Sequence, residues 1–124
     1  MFKRAVTFAL TGLFLALAAP LSAAELLMVE QRGCAYCVEW NRTIAPIYPK
    51  TAEGAYAPLR RADLHEGPPE GVTYARKVVY TPTFILIDDA GHELSRIEGY
   101  PGEDFFWGLL NMMLKARTDF QGTG

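Results

Sequence analysis

The sequence has little cysteine: Cys34 and Cys37 are the only two among its 124 residues. Two cysteines this close together cannot form the dense disulfide framework that stabilises small secreted mini-proteins. The length allows one domain, and an apolar content of 50% is too high for a chain that stays disordered. We therefore expect a small globular domain whose cysteines are not its main cross-links.

The chain has no excess of positive charge, because its 12 Lys and Arg residues are balanced by 14 Asp and Glu residues. Two of the basic residues, Lys3 and Arg4, stand at the amino terminus, so the chain after residue 24 carries a formal charge of −4. A mildly acidic surface argues against nucleic acid as a partner. After residue 24 the sequence also has no apolar run long enough to cross a bilayer, so no membrane span is expected there.

Residues 1–24 have the layout of a secretory signal peptide. Two basic residues precede an apolar run over residues 5–19, which is shorter than the ~20 residues needed to span a bilayer. Ser22 and Ala24 fit the small-residue positions of a cleavage site. We expect cleavage before Glu25, which leaves a mature domain over residues 25–124.

The mature chain begins with a strand pattern followed by a helix pattern. Residues 26–29 form a short apolar run typical of a buried parallel strand. Helical spacing follows, on a face formed by Cys37, Trp40, Ile44, Ile47 and Tyr48. We expect Pro46 to kink or interrupt this helix and Pro49 to end it. A second strand is expected over residues 56–64.

The second half of the chain predicts a hairpin between two helices. A short helix is expected over residues 73–79, and the β-branched and aromatic residues of 81–87 indicate a strand. A turn follows, with a return strand over residues 92–98. The closing helix begins with acidic residues in its first turn, and its apolar face is formed by Phe105, Phe106, Leu109, Leu110 and Met113. This order predicts the α/β class, with a mixed sheet covered by helices.

The two cysteines lie where the first strand passes into the first helix, in the sequence Cys34-Ala35-Tyr36-Cys37. At a helix amino terminus, unpaired backbone N–H groups and the positive end of the helix dipole stabilise a thiolate. This position favours Cys34 as the attacking sulfur. Cys37, one turn further on, is placed to resolve a mixed disulfide.

Three other roles for this pair are open. A structural disulfide is one, although closing so small a loop removes little entropy from the unfolded chain. A closed zinc site would need two more ligands, and His65 and His92 are the only histidines. Two thiolates could also hold a soft ion such as Cu(I). A non-enzymatic copper-binding or adaptor module is therefore the alternative to an enzyme.

Thr81 and Pro82 open the predicted third strand. Proline lacks the N–H that a β-ladder uses, so its place at the beginning of a strand needs no functional explanation by itself. However, a strand before a Cys-x-x-Cys motif, a downstream Thr-Pro-Thr, a hairpin and Gly99 before the closing helix together resemble the thioredoxin superfamily. The resemblance covers nearly the whole mature chain. It implies a thioredoxin-like fold with a central mixed four-stranded sheet flanked by helices.

In that family the proline is cis and lies against the cysteine pair, and the backbone of the residue before it pairs with the substrate chain. The resemblance implies six site residues: the catalytic Cys34 and Cys37, and the substrate-contacting Gly33, Tyr36, Thr81 and Pro82. It also implies a protein disulfide as substrate. A dithiol cycle of this kind needs no metal and no cofactor.

Within the superfamily, the chain is most similar to the periplasmic thioredoxins of bacterial sulfur-oxidation systems, over residues 31–37 with Trp40, 46–50 and 99–107. This resemblance implies a periplasmic thiol-disulfide oxidoreductase that reduces disulfides on a sulfur-carrier protein of thiosulfate oxidation. A reductase in an oxidising periplasm needs a dedicated reductant. A membrane thiol donor is the expected one.

The sequence departs from ordinary thioredoxins around the motif. Gly33 stands where thioredoxins have tryptophan, and the leader leaves no room for their extra amino-terminal strand and helix. The fold should therefore be the smaller, glutaredoxin-like core. The buried acid that thioredoxins carry six positions before the first cysteine falls on Met28. Glu30 and Glu39 are nearer candidates for proton handling, although surface glutamates are usually solvated.

Overall fold

The computed structural model describes residues 5, 7, 9, 11, 12 and 24–122. Apart from these few positions, the predicted signal peptide lies outside the described residues. From residue 25 the elements are, in order, β1 (Glu25–Glu30), α1 (Ala35–Thr43), α2 (Ala52–Tyr56), β2 (Leu59–Asp63), β3 (Thr83–Ile87), β4 (Glu93–Glu98) and α3 (Glu103–Arg117). Short 3₁₀ turns cover Tyr48–Lys50 and Leu64–Glu66. Across the described ranges, no helix is long and apolar enough to cross a membrane.

The four strands form one mixed sheet in the order β2-β1-β3-β4. β1 runs parallel to β2 and antiparallel to β3, and β4 is antiparallel to β3. The middle strands β1 and β3 are apolar runs with buried centres, because inner strands covered on both faces exclude polar side chains. The predicted four-stranded mixed sheet with flanking helices is confirmed.

α1 and α3 cover one face of the sheet and enclose its larger core. Trp40 of α1 is fully buried, with its ring centroid 5.0 Å from that of Phe84 on β3 and 5.7 Å from that of Phe106 on α3. Aromatic side chains of this size dominate the energetics of a core. Cys37 belongs to the same buried cluster, so the cysteine motif is anchored directly on the core.

The opposite face of the sheet is covered by the connection between β2 and β3. Val72 and Val78 of this connection pack against buried side chains of the two middle strands: Leu27, Val29, Ile85 and Ile87. Residues 72–78 do this without helical structure. The cis-proline loop that follows is therefore approached by extended and turn-rich chain.

The helix predicted over residues 73–79 is wrong. Thr73 instead forms a β-bridge with His92. Its N–H donates to the carbonyl of Gly91 at 2.9 Å, and its carbonyl accepts from the N–H of Glu93 at 3.1 Å. Because these long-range bonds occupy the backbone groups of Thr73, the segment satisfies its polar groups without forming a helix.

The first helix ends earlier than its spacing predicts. α1 stops at Thr43, just before Pro46, so the helix is interrupted there and does not continue to Pro49. Proline disfavours helical backbone at the preceding residue, and its ring clashes with the carbonyl four residues back. The short α2, which was not predicted, ends at Tyr56, where the second strand was expected to begin. β2 therefore starts later, at Leu59.

Two predicted helix faces are wrong at their edges. The spacing predicts Ile47, Phe105 and Leu109 as buried, but all three are exposed. Ile47 lies beyond the end of α1, where helical spacing no longer applies. The buried face of α3 is formed by Phe106, Leu110, Met113 and Leu114. Residues three and four apart share a face, and the face built on Phe106 is the one that meets the sheet.

Candidate active site

Cys34 is the N-cap residue of α1, with extended backbone dihedrals of φ −86° and ψ 100°. Its Sγ accepts a hydrogen bond from the backbone N–H of Cys37 at 3.1 Å, and its carbonyl accepts from the N–H of Val38 at 3.1 Å. The sulfur thus satisfies one of the N–H groups that lack a partner in the first turn of a helix. The predicted place of the motif, between the first strand and the first helix, is confirmed.

Cys34 and Cys37 are joined by a disulfide bond, with their Cα atoms 5.2 Å apart. Cys34 is 9% exposed and Cys37 is 2% exposed. A partner protein in solution therefore meets Cys34 before it meets Cys37. This inequality suits a reaction that begins on one sulfur and ends on the other.

Gly33 and Tyr36 border the cysteines at the surface. Gly33 has a φ of +78°, and no atom beyond its chain neighbours lies within 4 Å of the position that a Cβ would take. This backbone region favours glycine, and the residue leads the chain into α1 without placing a side chain in front of Cys34. Tyr36 is 65% exposed, so most of its ring is open to contact.

The peptide bond between Thr81 and Pro82 is cis, as the resemblance implies. Pro82 is buried, and its carbonyl accepts a hydrogen bond from the N–H of Gly99 at 2.7 Å. Thr83 Oγ1 donates to the carbonyl of Tyr80 at 2.6 Å. Since proline has no N–H of its own, these bonds from its neighbours hold the loop.

A groove of about 380 Å³ connects the cysteine helix with the proline loop, and its walls are formed by Tyr36, Tyr80, Thr81, Glu98 and Gly99. A second depression, of about 490 Å³, lies on the other side of Tyr36 against residues 100–103. Tyr36 and Thr81, which are far apart in the sequence, thus share one surface feature. The arrangement offers a concave surface between the first turn of α1 and the proline loop.

Gln31 belongs to this site, although the sequence pattern did not reveal it. Its Nε2 donates to Thr81 Oγ1 at 2.8 Å, and its Oε1 lies 3.0 Å from His65 Nε2. The one signal in the sequence is a polar side chain between the first strand and Gly33, which is common where strands end. Gln31 therefore links the segment before the cysteines to the cis-proline loop.

The two glutamates considered for proton handling are engaged in ion pairs. Glu30 Oε2 lies 2.6 Å from Arg61 Nη1, and Glu39 Oε1 lies 2.7 Å from Arg42 Nη2. Met28, at the position where thioredoxins carry an acid, is fully buried. This position therefore offers no carboxylate to accept a proton from the cysteines.

The two histidines considered as zinc ligands have other neighbours. His65 contacts Gln31, and His92 Nδ1 lies 3.8 Å from Asp88 Oδ2. Within residues 24–122 and the few described positions before them, no three His, Cys, Asp or Glu side chains are grouped to hold a metal ion.

The fold and the cysteine pair define the class of protein. The sequence matches the thioredoxin-like domain family over residues 18–114, and the chain belongs to this family. A thioredoxin fold with a disulfide between Cys34 and Cys37 is that of a thiol-disulfide oxidoreductase, and the chain is an enzyme of this class.

Among solved structures, the chain is similar to the periplasmic thioredoxin SoxS from Paracoccus pantotrophus in its reduced form. The identity is 48% and the TM-score 0.71, and the match covers 74% of this chain and 96% of that one. A thioredoxin from Malassezia sympodialis, Mala s 13, matches with 14% identity and a TM-score of 0.49, covering 74% of this chain and 76% of its own. No curated protein sequence gives a match.

Proposed function

We propose that residues 25–124 form an exported, periplasmic reductase that opens disulfide bonds of a partner protein through Cys34 and Cys37. The observation that carries this proposal is the hydrogen bond from the Cys37 N–H to Cys34 Sγ, at 3.1 Å. When the disulfide is reduced, this N–H and the helix dipole stabilise negative charge on Cys34. Cys34 is therefore the sulfur prepared to attack.

The reaction is a two-step exchange of disulfide bonds. The Cys34 thiolate attacks one sulfur of the partner disulfide, so that a mixed disulfide forms and the other partner sulfur leaves as a thiolate and takes up a proton. Cys37 then loses its proton and attacks Cys34 Sγ, which closes the Cys34–Cys37 disulfide and releases the second partner sulfur. Two electrons pass from the cysteine pair to the partner in each cycle.

Four residues around the cysteines are proposed to contact the partner. Gly33 leaves the approach to Cys34 open, and the exposed ring of Tyr36 offers apolar surface. Thr81 pairs with an extended segment of the partner through its backbone, and Pro82 contacts the partner beside it in the same loop. The groove bordered by Tyr36 and Thr81 supports this assignment.

The similarity of the chain to its relatives and the chemistry of the periplasm support the proposed partner and reductant. The similarity to SoxS, a periplasmic thioredoxin, supports export through a signal peptide over residues 1–24. The resemblance of residues 31–37 and 99–107 to the thioredoxins of sulfur-oxidation systems supports a sulfur-carrier protein as the partner. In an oxidising compartment the cysteine pair must be reduced again after each cycle, and we propose a membrane thiol donor for this step.

The Cys37→Ala variant tests the order of the two steps. It leaves Cys34 as the sole cysteine, so the mixed disulfide with insulin should persist and be detected by mass spectrometry without reductant. The Cys34→Ala variant is the matched control, and it should form no adduct because Cys37 is nearly inaccessible. An adduct on Cys37 alone would reverse the order of attack, and wild-type protein that leaves insulin unreduced would refute the reductase.

The direction of electron flow is tested by the reduction potential. The protein is equilibrated with glutathione buffers, and the fraction of Cys34–Cys37 disulfide is measured. A potential near that of thioredoxin, about −270 mV, supports a reductase, whereas one near that of a strong periplasmic oxidant, about −120 mV, would make the protein an oxidant.

A copper-binding or adaptor module predicts a different result from the same preparations. Protein purified under reducing conditions would then hold one Cu(I) per cysteine pair and leave insulin unreduced. Metal analysis together with the insulin assay therefore separates this alternative from the enzyme.

A further inference from the structure

Gln31 joins three separate segments next to the cysteine pair. Its Nε2 donates to Thr81 Oγ1 at 2.8 Å, and its Oε1 lies 3.0 Å from His65 Nε2. An imidazole that carries its proton on Nε2 donates to Oε1, and this holds the amide with its NH₂ group toward Thr81. His65 is itself placed by a turn in which Asp63 Oδ1 accepts its backbone N–H at 2.8 Å.

The contact with Thr81 supports the proline loop from the side of the cysteines. In the part of the chain that the structure describes, it is the one hydrogen bond between residues 31–37 and residues 80–82. The bond from the Gly99 N–H to the Pro82 carbonyl supports the loop from the opposite side. The ladder between β1 and β3 ends at the pair of Val29 and Thr83, so the contact of Gln31 extends the hydrogen bonding between these two segments beyond the sheet.

We propose that Gln31 is a positioning residue that sets the distance between Cys34 Sγ and the backbone of Thr81. The inference rests on the proposed function. A polypeptide disulfide must reach Cys34 while its chain pairs with Thr81, so its reaction depends on that distance. A small aromatic disulfide meets the sulfur alone and does not depend on it.

The expected effect follows from how steeply rates depend on geometry. A misplacement of about 1 Å can slow a reaction by about a hundredfold. Loss of one hydrogen bond to the loop displaces it by less than that, so the rate with a polypeptide disulfide should fall about tenfold. The rate with a small disulfide should stay unchanged, because Cys34 and its helix are untouched.

The test replaces Gln31 by Met, which keeps the length of the side chain and removes both hydrogen bonds. Protein reduced with dithiothreitol and freed of the reagent is mixed in single turnover with insulin or with dithionitrobenzoate. The electrons then come from Cys34 and Cys37 alone. Gln121→Met is the matched control, since Gln121 bonds to the nearby Asp119 carbonyl and lies away from the site.

A second pair of variants breaks and restores the same contact from the other side. Thr81→Val removes the oxygen that accepts from Gln31 and should slow insulin reduction by the same factor. Thr81→Ser keeps this oxygen and should reduce insulin faster than Thr81→Val does. The double variant Gln31→Met with Thr81→Val should reduce insulin no more slowly than either single variant. Both changes remove the same contact, the hydrogen bond between Gln31 and Thr81.

A selective loss with insulin, recovery in Thr81→Ser and an unchanged reduction potential support the positioning role. Equal slowing with both disulfides, no slowing in Gln31→Met or a shifted potential would overturn it while the proposed function stands. Wild-type protein that reduces neither compound would refute the proposed function, and this inference with it.

Discussion

The carboxylate of Glu93 and the guanidinium of Arg96 lie 2.6 Å apart on β4, with side chains only 3% and 4% exposed. Arg96 also donates to the backbone carbonyls of Arg76 at 2.8 Å and Lys77 at 3.4 Å. Its hydrogen bond with Glu93 raises the pKa of Arg96, so the guanidinium stays charged. β4 therefore holds the segment that leads into the cis-proline loop.

Replacing Arg96 by Met should lower the free energy of unfolding by about 3 kcal/mol, because the enclosed carboxylate of Glu93 keeps only the N–H of Ala75, at 3.3 Å, as a donor. Urea unfolding of the oxidised protein measures this loss. The matched control is Arg42→Met, which breaks an ion pair with Glu39 whose side chains are 69% and 48% exposed. That change should cost less than about 1 kcal/mol, and similar losses in both variants would contradict the prediction.

Gly33→Ala should destabilise the protein by about 1 to 2 kcal/mol through backbone strain. The residue has a φ of +78°, and an added Cβ would meet nothing within 4 Å, so strain is the whole effect. Gly108→Ala is the control, because this helical glycine is equally uncrowded and lacks the positive φ. It should stabilise α3 by about 0.5 to 1 kcal/mol, and the same sign in both variants would refute the argument.

The buried environment of Tyr48 predicts that the folded protein loses stability at alkaline pH. Burial, and to a smaller extent the charge of Glu53, raise the pKa of Tyr48 above its usual value, and its hydroxyl donates to the Ala57 carbonyl at 2.6 Å. The unfolded chain therefore gives up the phenolic proton first. The stability due to Tyr48 is complete below about pH 10 and falls as the pH rises above that value.

The Tyr48→Phe variant makes this contribution measurable. At neutral pH it should be less stable than wild type by about 1 kcal/mol, because the Ala57 carbonyl loses its donor. Above about pH 10 the difference should shrink. Unfolding of the oxidised proteins across this range is the measurement, and a difference that grows with pH would have the wrong sign.

Reduction of the Cys34–Cys37 disulfide should leave the protein folded. The bond closes a loop of residues 34–37, and a cross-link so short contributes no more than about 2 kcal/mol by restricting the unfolded chain. Both cysteines also rest on a core that includes Trp40 and Phe106. Denaturant unfolding with and without dithiothreitol checks this, and a reduced protein that loses its near-ultraviolet dichroism would disprove it.

Local patterns predicted the central part of the fold. The apolar run of β1, the helical spacing after Cys34 and the apolar strand after Pro82 are strong signals within a few residues. They placed the cysteines at the start of a helix without help from distant contacts. The cis bond at Pro82 came from the family resemblance, since proline at the start of a strand has no need to be cis.

The features that the sequence did not predict depend on distant partners. Residues 73–79 form no helix because Thr73 pairs with His92 across the sheet edge. A buried Arg96 on β4 could not be expected, because an alternating strand normally turns its charges to solvent. The contact between Gln31 and Thr81 joins two loops whose proximity exists only in the folded chain.

Two supports of the proline loop and of the segment before it come from the last hairpin of the chain. All the predicted site residues lie between residues 33 and 82, but Arg96 and the N–H of Gly99 hold the loop. A fragment that stopped after β3 would contain both cysteines and Pro82 and would lack these supports. During synthesis both cysteines are therefore added to the chain long before Arg96 and Gly99. The site is complete only when the hairpin of β3 and β4 has formed.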